Sequence, residues 1–132
     1  MTDGAPRPPS KTARPIWAHP LAAFGFSMAG LRFLMTQRAA QLQVAMLVVA
    51  ILAFVLVGAG AAQWAIMGAL FLVGLGVEAL NTAIELTVDR LSPEISDYAK
   101  HAKDLGSFAV FCALTVFGGH GLWVVGAALL VP

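Results

Sequence analysis

Val77-Glu78-Ala79-Leu80-Asn81-Thr82-Ala83-Ile84-Glu85-Leu86-Thr87-Val88-Asp89-Arg90 is followed, after a short polar segment, by Ala102-Lys103-Asp104-Leu105-Gly106-Ser107. The first run ends an apolar stretch that begins near Ala65, so it reads as the inner half of a membrane-spanning helix. With 3.6 residues per turn, Glu78, Asn81, Glu85 and Asp89 fall at i, i+3, i+7 and i+11, within about 80° of one another. They form one polar stripe on an otherwise oily helix. Ionisable groups inside a span are costly and mark a site by default. The plainer alternative is a protonated carboxylate that only hydrogen-bonds a neighbouring helix. Three polar groups sharing one face favour the site.

Composition decides the solvent. The chain has 132 residues, enough for one domain, and is 59% apolar with 11% charged residues, against roughly 25% charged in soluble domains. A soluble fold of this size could not hide so much apolar surface, so the bilayer is the expected surrounding. The single cysteine, Cys112, excludes an intrachain disulfide and a cysteine metal cluster. No signal peptide is expected, because the first sixteen residues are polar and proline-rich, without an early apolar core.

Residues 1–15 carry Pro6, Pro8, Pro9 and Pro15 with Arg7, Lys11 and Arg14, and read as a disordered basic tail suited to an anionic membrane surface. The remainder, 16–132, reads as a single membrane domain. Trp17, Leu21, Phe24, Met28, Leu31 and Met35 recur at spacings of four and three, which predicts an amphipathic interfacial helix over 16–42. Val44 to Ala62 is 19 residues without a charge, a first transmembrane helix at 44–62. Gly58 and Gly60 predict a tight turn, and Trp64 an interface anchor opening the second span at 64–90. Gly68, Gly74, Gly76, Ala79 and Ala83 keep that helix thin enough for close neighbours. Ser92-Pro93 reads as a helix start, and the third span is placed at 105–131, with Trp123 as a further anchor. The fold class is therefore all-α: an interfacial helix plus three transmembrane helices.

Charge distribution orients it. Arg7, Lys11, Arg14, Arg32 and Arg38 precede the first span, while Arg90, Lys100 and Lys103 lie between the second and third. All the basic residues fall on one side if the N-terminus is cytoplasmic and the C-terminus external. The Glu78–Asp104 stretch then faces the cytoplasm.

The double motif resembles the signature of the prokaryotic diacylglycerol kinase family, small membrane enzymes that phosphorylate a lipid alcohol with ATP. That pattern is close to Glu-x-x-Asn-[Ser/Thr]-Ala-[Ile/Val]-Glu-x-x-x-Asp, then Ala-Lys-Asp-x-[Gly/Ala]-Ser. Glu78, Asn81, Thr82, Ala83, Ile84, Glu85 and Asp89 match its first part; Ala102, Lys103, Asp104, Gly106 and Ser107 match its second. Phe108 stands where a small residue is usual. The resemblance implies that Glu78 is the catalytic base and Glu85 the metal-binding glutamate. It implies that Asn81, Asp89, Lys103 and Asp104 contact or organise the nucleotide, that Glu94 lies in a segment closing over it, and that Ser107 lies near the lipid. It further implies Mg²⁺ carried as Mg-ATP, diacylglycerol as substrate with phosphatidic acid as product, a homotrimer, and the bacterial inner membrane. Undecaprenol is the alternative substrate.

The residues themselves allow the same chemistry. Phosphoryl transfer to an alcohol needs a group to take the hydroxyl proton, oxygens to hold a divalent metal, and donors to steady the transferring group. Glu78 lies about 10 Å deeper than Glu85 by helical rise, which suits a general base for a lipid hydroxyl reached sideways from the bilayer. Glu85, nearer the water, suits Mg²⁺, a hard ion that takes oxygen ligands. A structural ion pair at a helix start is the competing reading of Lys103 and Asp104. His120 reads either as a proton shuttle or as an interhelical hydrogen bond, and the latter is favoured because no acid shares its span. Nothing points to nucleic acid.

One departure stands out. The family resembled here usually carries a second acidic metal ligand in a stretch like Asn-Glu-x-Ala-Phe-Arg-x-Glu. The equivalent run is Thr36-Gln37-Arg38-Ala39-Ala40-Gln41-Leu42-Gln43, and aligning Gly30-Leu31-Arg32 puts Arg38 at the glutamate's place. An early basic residue is also absent, His19 being nearest. Two consequences are open. Arg38 pairs with Glu85 or phosphate and replaces part of the ion's charge, or metal binding weakens and the protein is a nucleotide- or lipid-binding scaffold. A small cation transporter ranks last, since the spans show no breaks and no inverted repeat.

Overall fold

The computed structural model describes residues 18–92 and 96–130; the proposed tail at 1–15, Trp17 and Glu94 lie outside the described residues. Four helices follow in order: α1 (Ala18–Leu34), α2 (Arg38–Val57), α3 (Ala61–Leu91) and α4 (Asp97–Leu130). The last three are long and apolar enough to cross a membrane, and α1 is a short apolar helix. The architecture is thus the all-α membrane fold expected from the sequence.

The helix boundaries differ from those expected. The helix foreseen over 16–42 breaks at Met35–Gln37. There the Thr36 hydroxyl donates to the Phe33 carbonyl (2.7 Å), and the Gln41 amide reaches back to the Met35 carbonyl (3.1 Å). These side-chain bonds offer the backbone an alternative to the helix ladder. Arg38 therefore opens the first spanning helix, ahead of the expected Val44. That helix ends at Gly58, whose φ of 65° is the left-handed conformation that glycine adopts without a Cβ clash. Its amide bonds the Phe54 and Val55 carbonyls. Gly60 then begins α3, confirming the glycine turn.

Ser92 does not start a helix. It closes α3, its amide donating to the Val88 carbonyl (2.8 Å). Ser96 is the cap of the next helix, its hydroxyl accepting the Ala99 amide at 3.2 Å, and Asp97 follows where a negative charge complements the helix dipole. Because α4 has 34 residues, about 50 Å by helical rise, it overshoots the roughly 30 Å hydrocarbon layer. Its first turns, bearing Lys100, Lys103 and Asp104, extend beyond that layer.

The bundle is held mainly by α3 against α4, with α2 alongside both. A core of Phe54, Met67, Phe117 and Val124 lies at the end away from the polar stripe. Phe54 is fully buried and meets Trp64 edge-on, centroids 5.4 Å apart. Trp64, expected as an interface anchor, also packs inward and donates its indole N–H to the Ala59 carbonyl. His120 Nε2 donates to the Gln63 carbonyl at 3.2 Å, an interhelical bond between α4 and α3. Close approach falls at Gly74 and Gly106; Gly68 and Gly76 have no neighbour within 4 Å. Phe24, Phe26 and Phe33 of α1 remain exposed, as do Leu56, Leu72, Phe111 and Leu122 on the outer faces, where hydrocarbon replaces water as the neighbour.

Candidate active site

The stripe on α3 runs from dry to wet. Glu78 is 3% exposed and Asn81 7%, Glu85 is half-buried, and Asp89 is exposed. Packing produces this order: Glu78 and Asn81 face α2 and α4 across the interior, whereas Asp89 faces outward. Asn81 Nδ2 donates to Glu85 Oε1 at 2.9 Å, the i, i+4 pairing a helix favours. Two oxygens in this cluster are buried without a hydrogen-bond partner, Glu78 Oε2 and Asn81 Oδ1. Such groups are costly unless a ligand or water satisfies them.

A cleft of about 350 Å³ opens beside the stripe. The N-terminus of α2 supplies one wall through Gln37, Arg38 and Ala39; Glu78, Asn81, Thr82 and Glu85 of α3 supply another; Ser107 and Val110 of α4 close it. An apolar groove of about 380 Å³ lies on the other side, between α1 and α3, bounded by Phe33, Leu34, Leu72, Leu75, Ala79 and Leu86. Thr82 lines both cavities. A chain lying in the groove thus ends one residue's width from the cleft that holds Glu78.

The remaining candidates divide. Lys103 forms an ion pair with Asp89, not with its neighbour Asp104. The pair ties α4 to the wet end of α3. Asp104 is exposed and does not line the cleft. Gly106 packs on Asn81, and a Cβ there would stand 2.1 Å from Asn81 Oδ1. Sequence reasoning missed Gln43, which is 3% exposed with an unpartnered Nε2, beside Gly74. A glutamine at the edge of an apolar run was the available signal. It was passed over because the span was taken to begin at Val44.

The donor set fits one oxygen-ligated cation. Mg²⁺ is commonly held by one or two carboxylates together with substrate phosphates, and Glu85 lines the cleft as such a carboxylate, whereas Asn81 turns its Nδ2 to Glu85 and its Oδ1 to Gly106. Among the described residues no group of three His, Cys, Asp or Glu gathers into an all-protein cage. Arg38 occupies the wall opposite the carboxylates.

Three spanning helices around a buried carboxylate, with an apolar groove leading to it, define a small integral membrane protein whose polar site adjoins the lipid. Comparison with known proteins narrows this. The family model described as prokaryotic diacylglycerol kinase matches residues 25–125. Relatives named diacylglycerol kinase include one from Sinorhizobium sp, 43% identical over 81% of this chain and 78% of its own length. Another, from Pseudomonas aeruginosa, is 45% identical over 73% of this chain and 79% of its own. The Escherichia coli K12 protein is 37% identical over 73% and 80% respectively. No solved structure matches the chain. The chain belongs to the prokaryotic diacylglycerol kinase family and is a lipid kinase of that type.

Proposed function

We propose that the protein transfers the γ-phosphate of ATP to the free hydroxyl of diacylglycerol, giving phosphatidic acid and ADP. The observation that carries this is Glu78 Oε2, buried and unpartnered at a cleft whose Thr82 wall it shares with an apolar groove. The acyl part of the substrate lies in the groove and its hydroxyl passes Thr82 to reach Glu78. Glu78 accepts the hydroxyl proton as the alcohol oxygen attacks the γ-phosphorus and the bond to the β,γ-bridging oxygen breaks. Glu85 would hold the Mg²⁺ carried with ATP, which would supply neutralising charge at the phosphates, and Asn81 orients Glu85 through its Nδ2. Lys103, kept in place by Asp89, and Asp104 organise the nucleotide; Ser107 borders the lipid hydroxyl. The cleft is open, with Ser107 on its wall exposed, and a second copy of the chain completes it in a homotrimer. The distribution of basic residues supports a cytoplasmic N-terminus and site at the inner membrane, with the C-terminus external.

The test is Glu78→Gln in purified protein with radiolabelled ATP and a lipid panel containing diacylglycerol and undecaprenol. A general base contributes on the order of 10²- to 10⁴-fold, so label in phosphatidic acid should fall by at least a hundredfold while expression and thermal stability persist. Full activity in the variant refutes the assignment of Glu78. Preferential labelling of undecaprenol replaces the substrate but keeps the site. Arg38 on the cleft wall favours one second reading, binding without transfer; that reading wins if the wild type labels no lipid.

A further inference from the structure

We propose that Arg38, together with the N-terminus of α2, binds the transferring phosphate of the nucleotide directly, so that the α2 wall of the cleft holds phosphate where a carboxylate would hold metal. The inference rests on the kinase reading above and assigns a residue within it. Arg38 is the first residue of α2 and lines the cleft that Glu78 and Glu85 line from α3. Yet Arg38 forms no ion pair with either carboxylate; the one salt bridge among the described residues joins Lys103 to Asp89. A guanidinium and two carboxylates that share a cleft without pairing leave space between them for a group of mixed character. Phosphate oxygens suit the guanidinium, which can hold two at once. A hydroxyl proton or a nucleotide-borne cation suits the carboxylates.

The helix end adds to this. α2 has 20 residues, and its cap residue Gln37 makes no side-chain bond to the first amides. These amides have no partner within the helix and carry the positive end of its dipole, a setting that favours anions. Independent of the helix, Glu78 Oε2 is unpartnered on a side chain that lines the same cleft and is more than nine-tenths buried. The volume of about 350 Å³ falls within the range of about 300–1,000 Å³ that small-molecule sites occupy. A cation seated on the α2 wall would instead meet a fixed positive charge at close range.

The experiment compares wild type with Arg38→Ala, Arg38→Lys and Arg38→Glu in detergent micelles, reading radiolabelled ATP binding in EDTA and the number of Mn²⁺ ions bound per chain with ATP by electron paramagnetic resonance. Arg38 is solvent-exposed, and thermal unfolding confirms that each variant folds. Wild type should bind ATP without metal. Arg38→Ala should weaken that binding tenfold or more, Arg38→Lys by less, and Arg38→Glu should abolish it while adding one Mn²⁺ per chain. Equal metal-free binding by wild type and Arg38→Ala overturns the proposal, as does an unchanged Mn²⁺ count in Arg38→Glu. If wild type labels diacylglycerol while Arg38→Ala binds ATP normally, only the Arg38 assignment falls. If wild type neither binds ATP nor labels lipid, the kinase reading falls with it.

Discussion

Gly106→Ala should lower the kinase rate far more than it lowers stability. At Gly106 an added Cβ would stand 2.1 Å from Asn81 Oδ1 and 3.2 Å from its Cγ. Ordinary contact between carbon atoms is about 3.5–4.0 Å, so the Asn81 amide must swing by an ångström or more. Asn81 is buried, and its Nδ2 holds Glu85 Oε1 at 2.9 Å; the swing breaks that bond. A hydrogen bond to a charged group contributes about 1.5–3 kcal/mol, and a 1 Å misplacement near a reaction centre costs on the order of a hundredfold. Phosphorylation at saturating lipid should therefore fall about ten- to a hundredfold. Alanine is the better helix former by about 1 kcal/mol, which offsets only part of the lost hydrogen bond, so unfolding stability should fall by no more than about 2 kcal/mol, and a protein still folded at the assay temperature separates the effect from misfolding. The assay is the initial rate of label transfer in mixed micelles for Gly106→Ala, Asn81→Ala and the double variant. If the route runs through Asn81, adding Gly106→Ala to Asn81→Ala costs little more. A Gly106→Ala enzyme within threefold of wild type, or a full additional loss in the double variant, refutes the reasoning.

Two further outcomes follow from the geometry. The partly exposed Lys103–Asp89 pair should contribute no more than about 1 kcal/mol to unfolding stability; Lys103→Met should nonetheless weaken ATP binding tenfold or more, and a variant that loses stability without losing nucleotide affinity would make the pair purely structural. Thr82→Leu should narrow the passage between groove and cleft, raising KM for diacylglycerol several-fold with KM for ATP unchanged, and equal shifts in both constants would place the lipid elsewhere.

The polar stripe was legible in the sequence because a helix converts spacing into direction: Glu78, Asn81, Glu85 and Asp89 share one face, and their order along the axis became the order of their burial. The glycine turn was legible for a similar reason, since Gly58 takes a conformation that few other residues reach. The break at Met35–Gln37 was not. No glycine or proline stands there to mark it; side-chain bonds from Thr36 and Gln41 end α1. Ser92 and Ser96 are both adequate caps by residue type, and it is the Ser96 hydroxyl that takes the Ala99 amide. The partner of Lys103 was hidden as well, because an ion pair between residues on separate helices depends on their register, which local pattern does not encode. Gln43 was lost to the misplaced start of α2, since a residue thought to lie before the span raised no question about burial.

That register is the part of the site on which the chemistry depends, and the structure shows how it is set. Three contacts at three depths hold α4 against α3. The Lys103–Asp89 pair acts at the wet end, Gly106 seated on Asn81 acts in the middle, and Phe117 and Val124 pack with Phe54 and Met67 at the far end. The ion pair is flexible and the apolar core is nearly indifferent to small shifts. The glycine contact tolerates none, because the atoms already touch. Ser107 follows Gly106 directly and lines the cleft, so whatever fixes Gly106 on Asn81 also fixes Ser107 relative to Glu78 and Glu85. A glycine in the middle of a spanning helix, costly by helix propensity alone, thus locates a reactive cleft in a bundle whose outer surface is apolar and exposed.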